Sequence, residues 1–263
     1  AENVTSAGVT TIDADSDNDG LGDFAIPDTK ILSTSGNALS ITASDFNLNT
    51  SGQISAGATT ILVSDGGTIG LGDTAGNMTI SGSELQNITA TGLTIGDATN
   101  GSITVDNITA ANSNNIAGTF TLNATGAGAA VTFQNNASTF NALTVNANNG
   151  ITAGVDLAAD TGDINLNNAV TLSGNVEVNT AAGGGDILFA STIATAGNNL
   201  TLDASSVGNI TLAGALTGGG DLVVVDGAVQ SYQALTVNSL NIQDATTSVT
   251  FAGDIASTTT VDV

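Results

Sequence analysis

Residues 13–24 read DADSDNDGLGDF and place five aspartates, Asp13, Asp15, Asp17, Asp19 and Asp23, close together. Counted from Asp15 as position 1, Asp17 falls at 3, Asp19 at 5, Gly20 at 6 and Asp23 at 9. This is the front half of a D-x-D-x-D-G calcium loop, in which the glycine makes the sharp turn and oxygens converge on a hard cation. The backbone carbonyl of Leu21 takes position 7. Position 12 is Ile26 rather than a bidentate acid. Asp28, two residues on, is the candidate substitute, and Asp13 assists from the front. With the bidentate acid missing, the expected calcium affinity is modest. The competing reading of the stretch is a solvated acidic turn.

Other chemistries are short of residues. Among 263 residues there is one Lys or Arg, no His and no Cys, against 24 acids, for a net charge of -23. Ser–His–Asp and Cys–His arrangements are therefore ruled out, and so are thiolate metal sites and disulfides. Nucleic acid and anionic lipid, whose phosphates need Lys and Arg, are not expected partners. Eliminative cleavage of a uronate lacks its neutralising cation. Hydrolysis of a glycoside needs two spaced carboxylates, but Tyr232 is the only amphipathic aromatic to build a sugar platform. The expectation is a protein that is not an enzyme, with a carbohydrate-active or carbohydrate-binding β-helix as the alternative.

The elements that hold the acidic loop follow from composition and from a recurring word. Apolar residues make up 41% of the chain, enough for a packed core despite the charge. The word is apolar–Thr–apolar: MTI at 78–80, LTI at 93–95, ITV at 103–105, FTL at 120–122, VTF at 131–133, LTV at 143–145, and on to VTF at 249–251. Each word is a short strand with two side chains in and one Thr out. Gly, Asn and Asp lie between words, and these tolerate the left-handed backbone of turns. Strands this short are stable only when stacked on copies of themselves.

The expected fold is all-β, a parallel β-helix of on the order of ten coils with about two strand faces each. At ~4.8 Å per coil the stack would be about 50 Å long. The alternative is an antiparallel β-sandwich, whose strands are usually longer and richer in aromatics. Stacking would align the outward Thr into one or two ladders and the turn aspartates into rows. Residues 1–30 are read as an acidic N-terminal segment carrying the candidate loop, and residues 31–263 as the β-helix. Only residues 106–119 look like an excursion from the coils. The Asn-x-Ser/Thr sequences, such as those at Asn77, Asn199 and Asn209, are read as turn asparagines preceding a strand rather than as glycosylation sites.

The runs MTISGSELQNITATGLTIGDATNGSITVDNITAANSNN (78–115) and ASTFNALTVNANNGITAGVDLAADTGDINLN (137–167) resemble the repeats of filamentous-haemagglutinin-like large bacterial surface exoproteins. The resemblance extends over most of the chain from about residue 20. It implies a right-handed β-helix that is secreted to the bacterial exterior and serves as an adhesin, fibre or matrix component. Neither the basic-rich N-terminal secretion module of that family, with its Asn-Pro turn motif, nor a C-terminal barrel is present in the sequence. Open strand edges at the ends of a β-helix need covering, so the expected partners are a further copy head to tail or the rest of a longer chain, with surface glycans as a further candidate. No membrane insertion is expected.

Overall fold

The computed structural model describes residues 2–263, and the chain forms two compact units. Unit 1 runs to Val131 and takes in Ala147–Asn149; unit 2 comprises Thr132–Asn146 and Gly150–Val263. Both are built from short parallel strands stacked coil on coil as a right-handed β-solenoid; the described residues make about 11 such turns and almost no helix.

In unit 1 the strands Thr10–Asp13, Leu39–Ala43, Ala58–Val63, Gly92–Ile95 and Phe120–Ala124 stack in one sheet. Their register sets Ile12, Ile41, Ile61, Ile95 and Leu122 in a single inward column. The same register aligns Thr11, Ser40, Thr60, Thr94 and Thr121 outside, so the hydroxyl ladder forms here. A second face stacks Leu32, Ile54 and Ile88 inward, with Val4 in register at the end of the row but exposed. On the third, the rings of Phe24 and Phe46 stack at 5.5 Å.

Unit 2 is more regular. One inward column runs Val145, Leu166, Phe189, Leu212, Tyr232 and Phe251. Burying one such Leu or Phe contributes roughly 1.5–3 kcal/mol, so the stack rather than any isolated strand is the stable object. Outside, the matching column reads Thr144, Asn165, Leu188, Thr211, Ser231 and Thr250, a mixed surface. Near the C-terminal end the inward column turns polar. The Tyr232 hydroxyl donates to Gln230 Oε1 at 2.8 Å, and Gln230 Nε2 donates to the carbonyls of Gly227 (3.1 Å) and Asp244 (2.6 Å). Every polar group of this buried pair is satisfied, as burial requires.

Each coil has three strand faces, not about two. The successive words ILF (187–189), LTL (200–202), ITL (210–212) and LVV (222–224) skip the strands Ile193–Ala194 and Leu216–Thr217. Strands of two residues bury one side chain each and cannot display a three-residue pattern. Within residues 106–119, those at 107–115 leave the ladder and carry a short helix α2 (Ala110–Ser113), between Asp106, which closes the strand Ile103–Asp106, and Ile116, which bridges Ala90. They have a companion one coil earlier in α1 (Gly82–Gln86), which is closed by a Ser81–Glu84 capping box. Glu84 also reaches across the coil, Oε1 accepting from the Leu48 amide at 3.1 Å.

Just before α1 the chain doubles back over the outer face of Ile69–Gly72 and lays Met78–Ile80 parallel to it. A Cβ on Gly70 would sit 2.4 Å from the Thr74 carbonyl oxygen, so the fold-back needs glycine there.

Candidate metal centre

The strand Thr10–Asp13 ends at a corner of unit 1, where residues 14–23 loop out and return. The Ala14 amide bonds the Thr42 carbonyl at 2.8 Å, and the Ser44 amide bonds the Gly22 carbonyl at 2.9 Å, so both ends of the loop are fixed to the next coil. Between them Asn18 and Gly20 adopt φ of 53° and 78°. The loop closes so tightly that a Cβ on Gly22 would lie 1.9 Å from the Ala14 carbonyl oxygen.

Asp15 is the hinge pin of this loop. It is only 2% exposed, and its carboxylate accepts from the Ser64 hydroxyl at 2.5 Å, the Gly20 amide at 3.1 Å and the Asp19 amide at 3.2 Å. The Ser64 hydroxyl is the chief cause holding its carboxyl below the usual carboxylate range. Burial opposes the shift, and the Gly20 and Asp19 amides and Asp17 reinforce it.

One carboxylate oxygen each from Asp15, Asp17 and Asp19 lies within 4.8 Å of the others. Three converging hard oxygens suit calcium. Asp15 would offer a lone pair its internal donors leave free, and the exposed Asp17 and Asp19 the remaining charge.

The other expected ligands lie outside this group. Asp13 Oδ1 accepts the Asp15 amide at 3.2 Å. Asp23 Oδ1 accepts the Ser44 hydroxyl at 2.7 Å. Leu21 has its side chain in solvent, 79% exposed, and its amide donates to Asp19 Oδ1 at 3.1 Å. Asp28 caps a turn of the following coil, accepting from the Thr50 and Ser51 amides at 2.9 and 3.0 Å.

A cleft of about 250 Å³ beside the loop is lined by Gly20, Asp23, Ser44, Asp45, Ser64 and Asp65, among others. Ser64 and Asp65 come from the third coil, and their role is invisible along the sequence without the coil spacing.

Acids in unit 2 are used differently. Asp163 Oδ1 accepts the Asp186 amide at 2.8 Å, Asp186 Oδ1 accepts the Asn209 amide at 2.7 Å, and Asn209 Oδ1 accepts the Val229 amide at 3.2 Å. A second row repeats the pattern: Asn175 accepts the Asn199 amide at 2.9 Å and Asn199 the Asp221 amide at 3.0 Å. Asp221 Oδ1 then receives Asn238 Nδ2 at 2.7 Å and the Ser239 hydroxyl at 2.8 Å, the Asn238 and Ser239 side chains being what hold its carboxyl low. The residue just before a strand thus offers its side chain to its counterpart one coil on. In unit 1, Asn77 Oδ1 likewise accepts the Thr68 amide at 2.9 Å, so Asn77, Asn199 and Asn209 of the Asn-x-Thr sequences all serve as backbone acceptors.

No protein-family model matches this chain, and neither does any curated protein or solved structure.

Proposed function

We propose that this chain is a non-catalytic structural module of a secreted bacterial surface adhesin, extracellular fibre or matrix filament, with calcium held at Asp15, Asp17 and Asp19. The observation that carries the reading is how the polar residues are employed. In unit 2, Asp163, Asp186, Asn199, Asn209 and Asp221 accept hydrogen bonds from the coil above. In unit 1, Asp15 locks a loop against Ser64. Side chains committed to holding coils together are what a load-carrying stack needs. The net charge of -23 keeps such a β-rich surface soluble and discourages edge pairing with other proteins. Secretion rests on the resemblance to bacterial surface exoproteins, and the calcium on the three converging carboxylates.

Copies joining head to tail through their strand edges would propagate as filaments. Electron microscopy of the purified chain with calcium and then with chelator tests this directly. Filaments of uniform width that dissolve in chelator support a calcium-dependent fibre. Dispersed particles in both conditions would remove self-assembly from the reading. Calorimetric titration with calcium that releases no heat would remove the metal.

A further inference from the structure

Asn-Gly occurs twice in the chain, at Asn100–Gly101 and Asn149–Gly150. Asparagine before glycine is the pair most prone to spontaneous cyclisation, since no Cβ hinders approach of the following amide nitrogen to the side-chain carbonyl carbon. The reaction needs a side chain free to swing and a backbone N–H free to lose its proton.

At Asn100 both conditions fail. The residue is 3% exposed, its Oδ1 accepts the Asp97 amide at 2.5 Å, and its Nδ2 donates to the Gly101 carbonyl at 2.6 Å. The nucleophile itself is also engaged, the Gly101 amide donating to the Gly67 carbonyl at 2.9 Å.

Asn149 is the opposite case. It is exposed, and among the described residues no partner bonds its side chain or the Gly150 N–H. Its backbone N–H alone is held, donating to the Ala129 carbonyl at 2.8 Å. Its neighbour Asn148 is fixed through Oδ1 to the Gly128 amide at 3.1 Å, so only the second asparagine of the pair is free.

We infer that Asn149 is a self-modification site, converting to aspartate and isoaspartate while Asn100 is preserved by the fold. The deprotonated Gly150 nitrogen attacks Asn149 Cγ, and the tetrahedral adduct expels ammonia to leave a five-membered succinimide. Water then opens the ring at either carbonyl. Opening at the backbone carbonyl diverts the main chain through the side chain and adds a methylene just before Ile151. That residue is 2% exposed and its amide holds the Ala169 carbonyl at 2.8 Å. Either product adds one negative charge.

The test is peptide mapping by mass spectrometry of the intact chain aged at mildly alkaline pH, folded and in urea. In the folded protein Asn149 gains the one-dalton shift about tenfold or more faster than Asn100, because reaction at a tied site must wait for local opening. In urea the two react at similar rates, and both rates rise with pH as the amide nitrogen deprotonates. Asn149→Gln abolishes the shift at that position. Equal rates at the two sites in the folded protein, or a folded-state rate at Asn149 no faster than at Asn100, would overturn the inference.

Discussion

The acidic loop of unit 1 and the side-chain ladders of unit 2 draw on the same residue type under opposite constraints. In the loop, Asp15, Asp17 and Asp19 bring their oxygens within 4.8 Å of one another, and Asp15 accepts from three internal donors. In the ladders, Asp163 and Asp186 sit one coil apart, and each accepts a backbone amide of the next coil. Like charges brought together cost energy that a cation would offset; giving each carboxylate a backbone donor from the next coil, as Asp163 and Asp186 have, offsets that cost without one. One protein therefore has acids that converge in one loop and acids that each hold the neighbouring coil.

The largest effect sets the scale for both regions. Phe189→Ala, which empties one rung of the unit 2 inward column, should cost about 3–5 kcal/mol, read as a fall in the urea midpoint. Calcium comes next and separates the two regions. At about a hundred times its dissociation constant it should stabilise the chain by ~2.7 kcal/mol. Changing Asp17 and Asp19 together to Asn should erase that gain, whereas changing Asp163 and Asp186 should not. A calcium effect that survives the loop variant would mean that the cation acts on the acidic surface at large.

A smaller effect sharpens the ladder side. Asp186→Ala strands the Asn209 amide and should cost about 1 kcal/mol, while Asp186→Asn keeps the acceptor. The Asn variant should be neutral or slightly stabilising at low salt, since it removes a like charge from the row, and that gain should vanish at high salt. Equal loss in the Ala and Asn variants would show that charge, not acceptance, is what position 186 supplies.

How much of this was legible beforehand differs between the two regions for physical reasons. Strand direction and the inward–outward alternation are local, and the repeated apolar–Thr–apolar words carried them. The third face was hidden because Ile193–Ala194 and Leu216–Thr217 bury too little to leave a pattern. The convergence of Asp15, Asp17 and Asp19 was readable because the three lie in one contiguous loop. Ser64, which fixes Asp15 from 49 residues away, was not. The ladder aspartates stood in plain sight before each strand, but their partners are one coil distant, and coil length varies too much to align them by eye. Asp23 and Asp28 were drawn into the loop by spacing alone, and in the fold they serve Ser44 and the turn at Thr50–Ser51 instead.

The smallest effect probes what the two regions share. Asp15 and Asp221 both have carboxyls held below the ordinary value, Asp15 chiefly by the Ser64 hydroxyl and Asp221 chiefly by the Asn238 side chain. A carboxyl that is more acidic in the folded state stays ionised where the unfolded chain has begun to take up protons. Its contribution to stability is therefore complete above the ordinary carboxylate pKa and is lost as pH falls through the lower folded value. Ser64→Ala and Asn238→Ala should each leave stability near pH 7 less affected than the Phe189 change and should move acid unfolding to higher pH. Protonation of the remaining acids relieves repulsion in every variant alike, so the difference from the parent chain in a circular-dichroism acid titration is the quantity to read. If Ser64→Ala shifts the acid midpoint and Asn238→Ala does not, the donors of the loop matter to its charge in a way the ladder's do not. That would place the electrostatic demand of this protein at the crowded corner of unit 1.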